Sequence, residues 1–155
     1  MTGEVRFPGI RLEAYPGDEA FERWGGTSPY RFVAFPVAHR EWAGRAEVLR
    51  RLGWGLAVAY RPGGSDLTSR AAGAADGWEA TVRCRLEGFP PGSICFLDLH
   101  EVAAAPCVDY CRGWIGTLLD SGWVRPGIYC VAADAAPLRG ASRAEFRGEG
   151  TRIPF

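Results

Sequence analysis

The sequence predicts an α/β fold in which parallel strands alternate with helices, and three observations carry that prediction. Short apolar runs of strand length recur from residue 9 onward. The segments between them place apolar residues at helical spacing. Those helical segments stop at Gly53, Gly88 and Gly122, the residue type that closes a helix in a left-handed cap. Right-handed crossovers between parallel strands leave two architectures: an open doubly wound sheet, or a (β/α) barrel whose loops after the strands carry the site.

The first predicted strand is "GIRLEAY" (9–15), followed by "YPGDEAF", which lacks the Gly-rich turn of a nucleotide site. "YRFVAF" (30–35) is the second strand. In "EWAGRAEVLRRLG", Trp42, Ala46, Leu49 and Leu52 fall on one helical face, and a tight return leads to the third strand, "GLAVAY" (55–60). The glycines of "RPGGSD" (61–66) lack the Lys-Ser/Thr of a phosphate loop and read as a flexible connection. "AADGWEATVRCRLEG" aligns Ala75, Trp78, Val82 and Leu86 on a predicted core face before the fourth strand, "ICFLDL" (94–99). The third helix, 106–121, aligns Val108, Cys111, Ile115 and Leu118 and leads to the fifth strand, "GIYCV" (127–131). Beyond Ala132 the pattern weakens: Pro137 and Gly140 shorten or break a helix, and "TRIPF" suits only an edge strand.

Composition narrows the function classes. A chain of 155 residues with 47% hydrophobic content is long enough for one domain with its own core. All 18 basic residues are arginines scattered along the chain against 18 acids, so no basic footprint for nucleic acid appears. No apolar run approaches the length of a membrane span and no secretion signal opens the chain, so a soluble, cytoplasmic protein with no membrane partner is expected. Five cysteines without an export signal read as mostly reduced, buried thiols.

"CFLDLHE" (95–101) carries the chemistry. On a strand, Phe96, Asp98 and His100 share one face, while Cys95, Leu97, Leu99 and Glu101 share the other. Helices would cover the second face, and Asp98 with His100 would point into a barrel mouth. Asp98 is then either a site carboxylate or the polar end of a strand that caps a loop or pairs with an arginine such as Arg11. Cys107, Cys111 and His100 lack the spacing of a zinc site, so no metal and no cofactor is expected.

Six stretches in order, "YPGD" (15–18), "PYRFVAF" (29–35), "RLGWGLAVAY" (51–60), "GAADGWEA" (73–80), "EGFPPGSICFLDLH" (87–100) and "YCRGWIGTLLDSGWVRPGIYC" (110–130), resemble the glycoside-hydrolase-like domain called domain of unknown function 1906. That family is similar in fold to the family 25 lysozymes, and the resemblance covers about residues 9–135. It implies a TIM-like barrel with an acidic pocket for a polysaccharide such as a cell-wall glycan. Since such a barrel typically takes about 250 residues, this one is shortened or incomplete, its last units missing, and an open sheet edge would favour a homo-oligomer.

The resemblance also assigns residues. Asp98 matches the aspartate of the family's Asp-x-Glu pair, but His100 stands in the glutamate's place and Arg11 replaces the first strand's aspartate. Glu13, two residues from Arg11, is the candidate replacement carboxylate. The catalytic candidates are therefore Asp98, His100 and Glu13, with Tyr15, Asp18, Tyr60, Glu101 and Tyr129 as substrate contacts. The tyrosines fall near strand ends, where sugar rings would lie against aromatic faces, whereas Trp42, Trp78 and Trp114 read as helix packing. Glycoside hydrolysis needs two carboxyl groups about 5 to 9.5 Å apart. The departures at Arg11 and His100 thus leave three readings: a glycoside hydrolase using Asp98, a degenerate site that binds a glycan, and an oligomeric structural module.

Overall fold

The computed structural model describes residues 8–64, 66–103, 105–131 and 135–139. Five strands, β1 (Gly9–Ile10), β2 (Phe32–Pro36), β3 (Gly55–Tyr60), β4 (Ile94–Asp98) and β5 (Arg125–Tyr129), form one parallel sheet in chain order. Four helices, α1 (Asp18–Thr27), α2 (Ala46–Arg51), α3 (Arg70–Leu86) and α4 (Val108–Ser121), lie between them. The α/β alternation is as predicted. Among the described residues β1 and β5 are both edges, so the sheet is open, an incomplete TIM-like barrel.

Side-chain alternation divides the sheet into two faces. Val33, Phe35, Val58, Cys95 and Leu97, at most 2% exposed, point to the helix side and join Phe21, Trp42 and Trp114 in the core. The opposite face corresponds to a barrel interior and is partly open. Its N-terminal end is floored by two aromatics lying over glycines. Phe32 stands between Gly9 and Gly55 in register, and Phe96 beside Gly127, so a β-carbon on Gly9 would lie 2.2 Å from the Phe32 ring. Only glycine leaves room for those rings.

The β5 edge is poorly suited to strand addition. Arg125 N donates to Ser93 O at 2.8 Å and Tyr129 O accepts from Leu99 N at 2.8 Å. Odd-numbered residues of β5 therefore bond to β4, and Pro126 and Ile128 face outward. Proline has no N–H, so among the described residues Ile128 is the one N–H donor of β5 on this edge.

Several expected boundaries shift. β1 is two residues long rather than spanning 9–15, because the chain leaves the sheet at Arg11 to reach α1. α1, which packs Phe21 against Trp24, Trp42 and Trp54, has no counterpart among the predicted elements. The helix expected from residue 41 starts as a 3-10 turn over Arg40–Trp42, is interrupted at Gly44 (φ 75°), and resumes as α2. β5 runs from Arg125 to Tyr129, two residues earlier than expected. "TRIPF" lies outside the described residues.

The largest correction concerns α3. Its buried residues are Gly73, Gly77, Ala80, Thr81 and Cys84, while Trp78, Val82 and Leu86 of the expected core stripe are 58%, 37% and 74% exposed. The cause is the closeness of α3 to α4. A β-carbon on Gly73 would lie 2.0 Å from the Tyr110 carbonyl oxygen, and one on Gly113 would lie 2.0 Å from that of Arg70. Backbones this close admit only small side chains, so the seam takes the glycines and the bulky residues turn outward. Trp42 and Trp114 are core residues as expected; Trp78 is not.

The five cysteines are not joined in disulfides, and Cys84, Cys95, Cys107 and Cys111 are buried. Among the described residues no helix is long and apolar enough to cross a membrane.

Candidate functional site

The C-terminal ends of the strands converge on one polar cluster. Strand β4 ends at Asp98, whose inward direction follows from its register opposite Tyr129 of β5. Asp98 is only 6% exposed, and both of its carboxylate oxygens are engaged. Oδ1 accepts from the His100 backbone N–H (3.3 Å) and lies 2.6 Å from the ring Nδ1 of His100. Oδ2 is 3.3 Å from Nη2 of Arg11. Asp98 thus both caps its own loop and pairs with Arg11, the two structural roles considered for it from sequence.

His100 is fixed by the same contacts. Its Nδ1 faces the Asp98 carboxylate, and its Nε2 lies 2.5 Å from Arg11 Nη1. Its ring also lies against Tyr129, with centroids 5.8 Å apart. Glu101 was expected on the opposite face, and the structure corrects this. The strand ends at Asp98, and Val102 N bonds back to Leu99 O in a turn, so alternation no longer applies. Glu101 Oε1 stands 3.1 Å from His100 Nε2, and its other oxygen is bound by Arg61.

Arg61 is the cluster's second guanidinium. It binds Glu13 at 2.8 Å as well as Glu101, while Arg11 lies 3.4 Å from Glu13. The hydrogen bond from Arg61, and then its charge, hold the exposed Glu13 carboxyl below the usual carboxylate range. Three carboxylates are therefore woven between two arginines and one histidine. Arg61 was not among the sequence candidates, yet its signal was present: it continues the inward parity of Ala57 and Ala59 one step past β3.

Beside this cluster lies a hollow of about 230 Å³ reached by Arg11, Glu13, His39, Arg61 and Asp98. An adjoining hollow of about 310 Å³ lies over the alanines of the inner face, Ala34, Ala57 and Ala59, and is bordered by Phe32, Phe96 and Tyr129. Small side chains on β2 and β3 create this space, and the polar groups stand on its rim. Tyr129, half exposed at 52%, is the aromatic face available to a ligand.

Three candidates fall elsewhere. Tyr60 is 2% exposed on the helix side of the sheet, where its hydroxyl donates to Glu79 at 2.9 Å, so it does not reach the hollow. Its position one residue off the inward parity explains this. Tyr15 packs edge-on to Trp42 and donates to Asp18 at 2.5 Å, with Arg45 over its ring, and Asp18 lies 3.6 Å from Arg45. Tyr15 and Asp18 thus form a separate pairing at the start of α1. Among the described residues, no group of three or more His, Cys, Asp or Glu side chains is arranged to hold a metal ion.

A family model described as Rv2525c-like, glycoside hydrolase-like domain matches residues 22–146. No curated protein matches the chain. An uncharacterized B. stearothermophilus protein, solved by crystallography at 1.07 Å, shares the fold with a TM-score of 0.69 at 19% identity, over 88% of this chain and 69% of that one.

Proposed function

We propose that this chain, which belongs to the Rv2525c-like glycoside hydrolase-like domain family, binds a carbohydrate at the mouth of its open barrel and does not hydrolyse it. One observation carries the second half of that reading: both oxygens of Asp98 are taken by Arg11 and His100. A hydrolase of the two-carboxylate type needs one carboxylic acid that gives a proton to the leaving oxygen and one carboxylate free to attack or activate water. Asp98 is clamped by a cation, and Glu13 is pulled below the usual range by Arg61, the opposite of what a general acid requires.

The same arrangement suits binding. Hollows that hold small ligands combine apolar walls with a few fixed polar groups. Here the alanine-lined floor and the Tyr129 ring would take the apolar face of a sugar, and the fixed guanidinium and carboxylate groups would meet its hydroxyls. The ligand class we favour is a polysaccharide such as a cell-wall glycan, in keeping with a relation to domain of unknown function 1906 and the family 25 lysozymes.

Binding to insoluble peptidoglycan and to chito-oligosaccharides, measured by co-sedimentation and calorimetry beside a reducing-end assay, tests the reading. Binding without release of reducing ends is expected. Release that disappears in Asp98→Asn would establish a hydrolase instead, and absence of binding to any glycan would remove the carbohydrate reading.

A further inference from the structure

Glu13 differs from the other carboxylates of the site in how little holds it. Its side chain is 69% exposed, and it lies in the stretch between β1 and α1 that is neither helix nor strand. Its carboxylate is met by two guanidinium groups. Oε1 is 3.4 Å from Nη2 of Arg11, and Oε2 accepts from Nη1 of Arg61 at 2.8 Å. Arginines that follow two different strands thus converge on one carboxylate, one at each oxygen, at the wall of the 230 Å³ hollow. The planar donor fork of arginine is the group best matched to a carboxylate.

Both guanidinium groups are held in place without Glu13. Arg11 keeps Nη1 on the His100 ring and Nη2 beside Asp98, and Arg61 keeps Nη2 on Glu101. The lining of the hollow includes Glu13 and the nearly buried Asp98 but not Glu101. Glu101 therefore braces Arg61 from outside the hollow, and Glu13 is the exposed acid on the side that a ligand reaches.

We propose, building on the carbohydrate reading above, that Arg11 and Arg61 form a clamp for a carboxylate carried by the sugar itself, as in a uronic acid, and that Glu13 is an internal stand-in for it. The sugar ring would lie over the alanine floor beside Tyr129, in the adjoining hollow, with its acid at the polar rim. When the ligand acid enters, Glu13 turns to water, and the clamp again sets its two cations against three carboxylates. A neutral sugar leaves Glu13 where it is. Because the guanidinium groups are already braced, little has to be ordered on binding.

The stand-in weakens the site for an outside acid by the fraction of time it fills the clamp. If Glu13 occupies it about nine-tenths of the time, only about a tenth of the molecules are open, and removing Glu13 strengthens binding about tenfold. Millimolar titrations of the full chain with D-glucuronate, D-glucose and acetate at neutral pH, followed by NMR of the arginine side-chain N–H signals, test this. The variants are Glu13→Ala, Glu101→Gln and Arg61→Gln, with far-UV circular dichroism to verify folding.

Glucuronate is expected to shift the Arg11 and Arg61 signals, to bind Glu13→Ala about tenfold more tightly than the wild type, and to bind Arg61→Gln more weakly. Glucose is expected to bind the wild type and Glu13→Ala alike. Glu101→Gln takes the same charge from the same guanidinium outside the hollow, and its gain is expected to fall well short of that in Glu13→Ala. Equal gains in the two variants would mean that overall charge governs the effect, and would overturn the proposal. So would a glucuronate affinity that Glu13→Ala leaves unchanged or lowers; chito-oligosaccharide binding beside that result would remove the clamp and leave the carbohydrate reading standing. Acetate that binds Glu13→Ala as tightly as glucuronate does would uphold the clamp and count against the carbohydrate reading.

Discussion

Arg11 and Asp98 come from opposite sides of the open barrel and meet with Nη2 3.3 Å from Oδ2, the arginine about one-third exposed and the aspartate nearly buried. That asymmetry decides which half of the pair the fold depends on. Removing the cation leaves a buried carboxylate without the guanidinium that pairs with it, whereas removing the carboxylate leaves an arginine that can turn to water. Arg11→Met is therefore expected to cost about 3 kcal/mol and Asp98→Asn about 1 kcal/mol. Urea unfolding of the two variants checks the order; equal or reversed costs would show that Asp98 does not depend on Arg11 for its charge balance.

The seam between α3 and α4 gives a prediction in which neighbouring glycines respond with opposite signs. Alanine is the better helix former by about 1 kcal/mol, so a glycine in open space should gain from the change. Gly116 is such a site, since an added β-carbon meets nothing within 4 Å. Gly113 is three residues earlier on the same helix, and there the β-carbon would lie 2.0 Å from a backbone oxygen. Gly116→Ala should raise stability by about 0.5 to 1 kcal/mol, and Gly113→Ala should lower it by about 3 kcal/mol or more. Thermal melts read both directly.

The same seam shows what in this fold was legible from residue order. Strand existence was legible because Val33, Phe35, Val58 and Leu97 are β-forming apolar residues set between glycines and turns, a local signal. The core face of α3 was not, because the usual rule sends the largest apolar side chains inward, while here the distance between two backbones decided, and that distance is a tertiary fact. In the site, Asp98 and His100 were legible from alternation along β4. Glu101 was misplaced because alternation stops where the strand stops, and Tyr60 was misread by a single step of parity at the end of β3. Arg61 had the right parity but no chemical motif to call attention to it.

Buried thiols and phenols set a limit at high pH. Burial, followed by the neighbouring Cys107 and Cys130, pushes the Cys111 thiol from 9.0 up to about 12. Burial likewise raises the Tyr60 and Tyr110 hydroxyls, each with a carboxylate hydrogen bond as the next cause. A folded-state value above the unfolded one means that the unfolded chain loses its proton first, so stability is intact below the unfolded value and falls as pH rises. Stability should hold through neutral pH, begin to decline near pH 9 and fall steadily toward pH 12. Urea midpoints across this range measure the decline, and Cys111→Ser should make it shallower, with the buried Cys95 thiol, also raised by its Cys84 neighbour and by burial, keeping the onset in place. A midpoint that stayed flat to pH 12 would contradict the burial of these groups.

Tyr129 ends β5 and Tyr60 ends β3, on opposite faces of the sheet, and their substitutions should separate binding from stability. Tyr129 is half exposed beside the hollow, with the His100 ring as its neighbour, so Tyr129→Ala should change the urea midpoint little while lowering glycan affinity about tenfold. Tyr60 is buried behind the sheet with its hydroxyl on Glu79 at 2.9 Å. Tyr60→Phe removes that bond and should cost about 1 kcal/mol, with glycan affinity unchanged. Calorimetry with the glycan ligand and urea unfolding on the same two preparations give the four values. A loss of affinity in Tyr60→Phe equal to that in Tyr129→Ala would mean that the ligand does not distinguish the two faces of the sheet, and the inner hollow would no longer stand as the binding site.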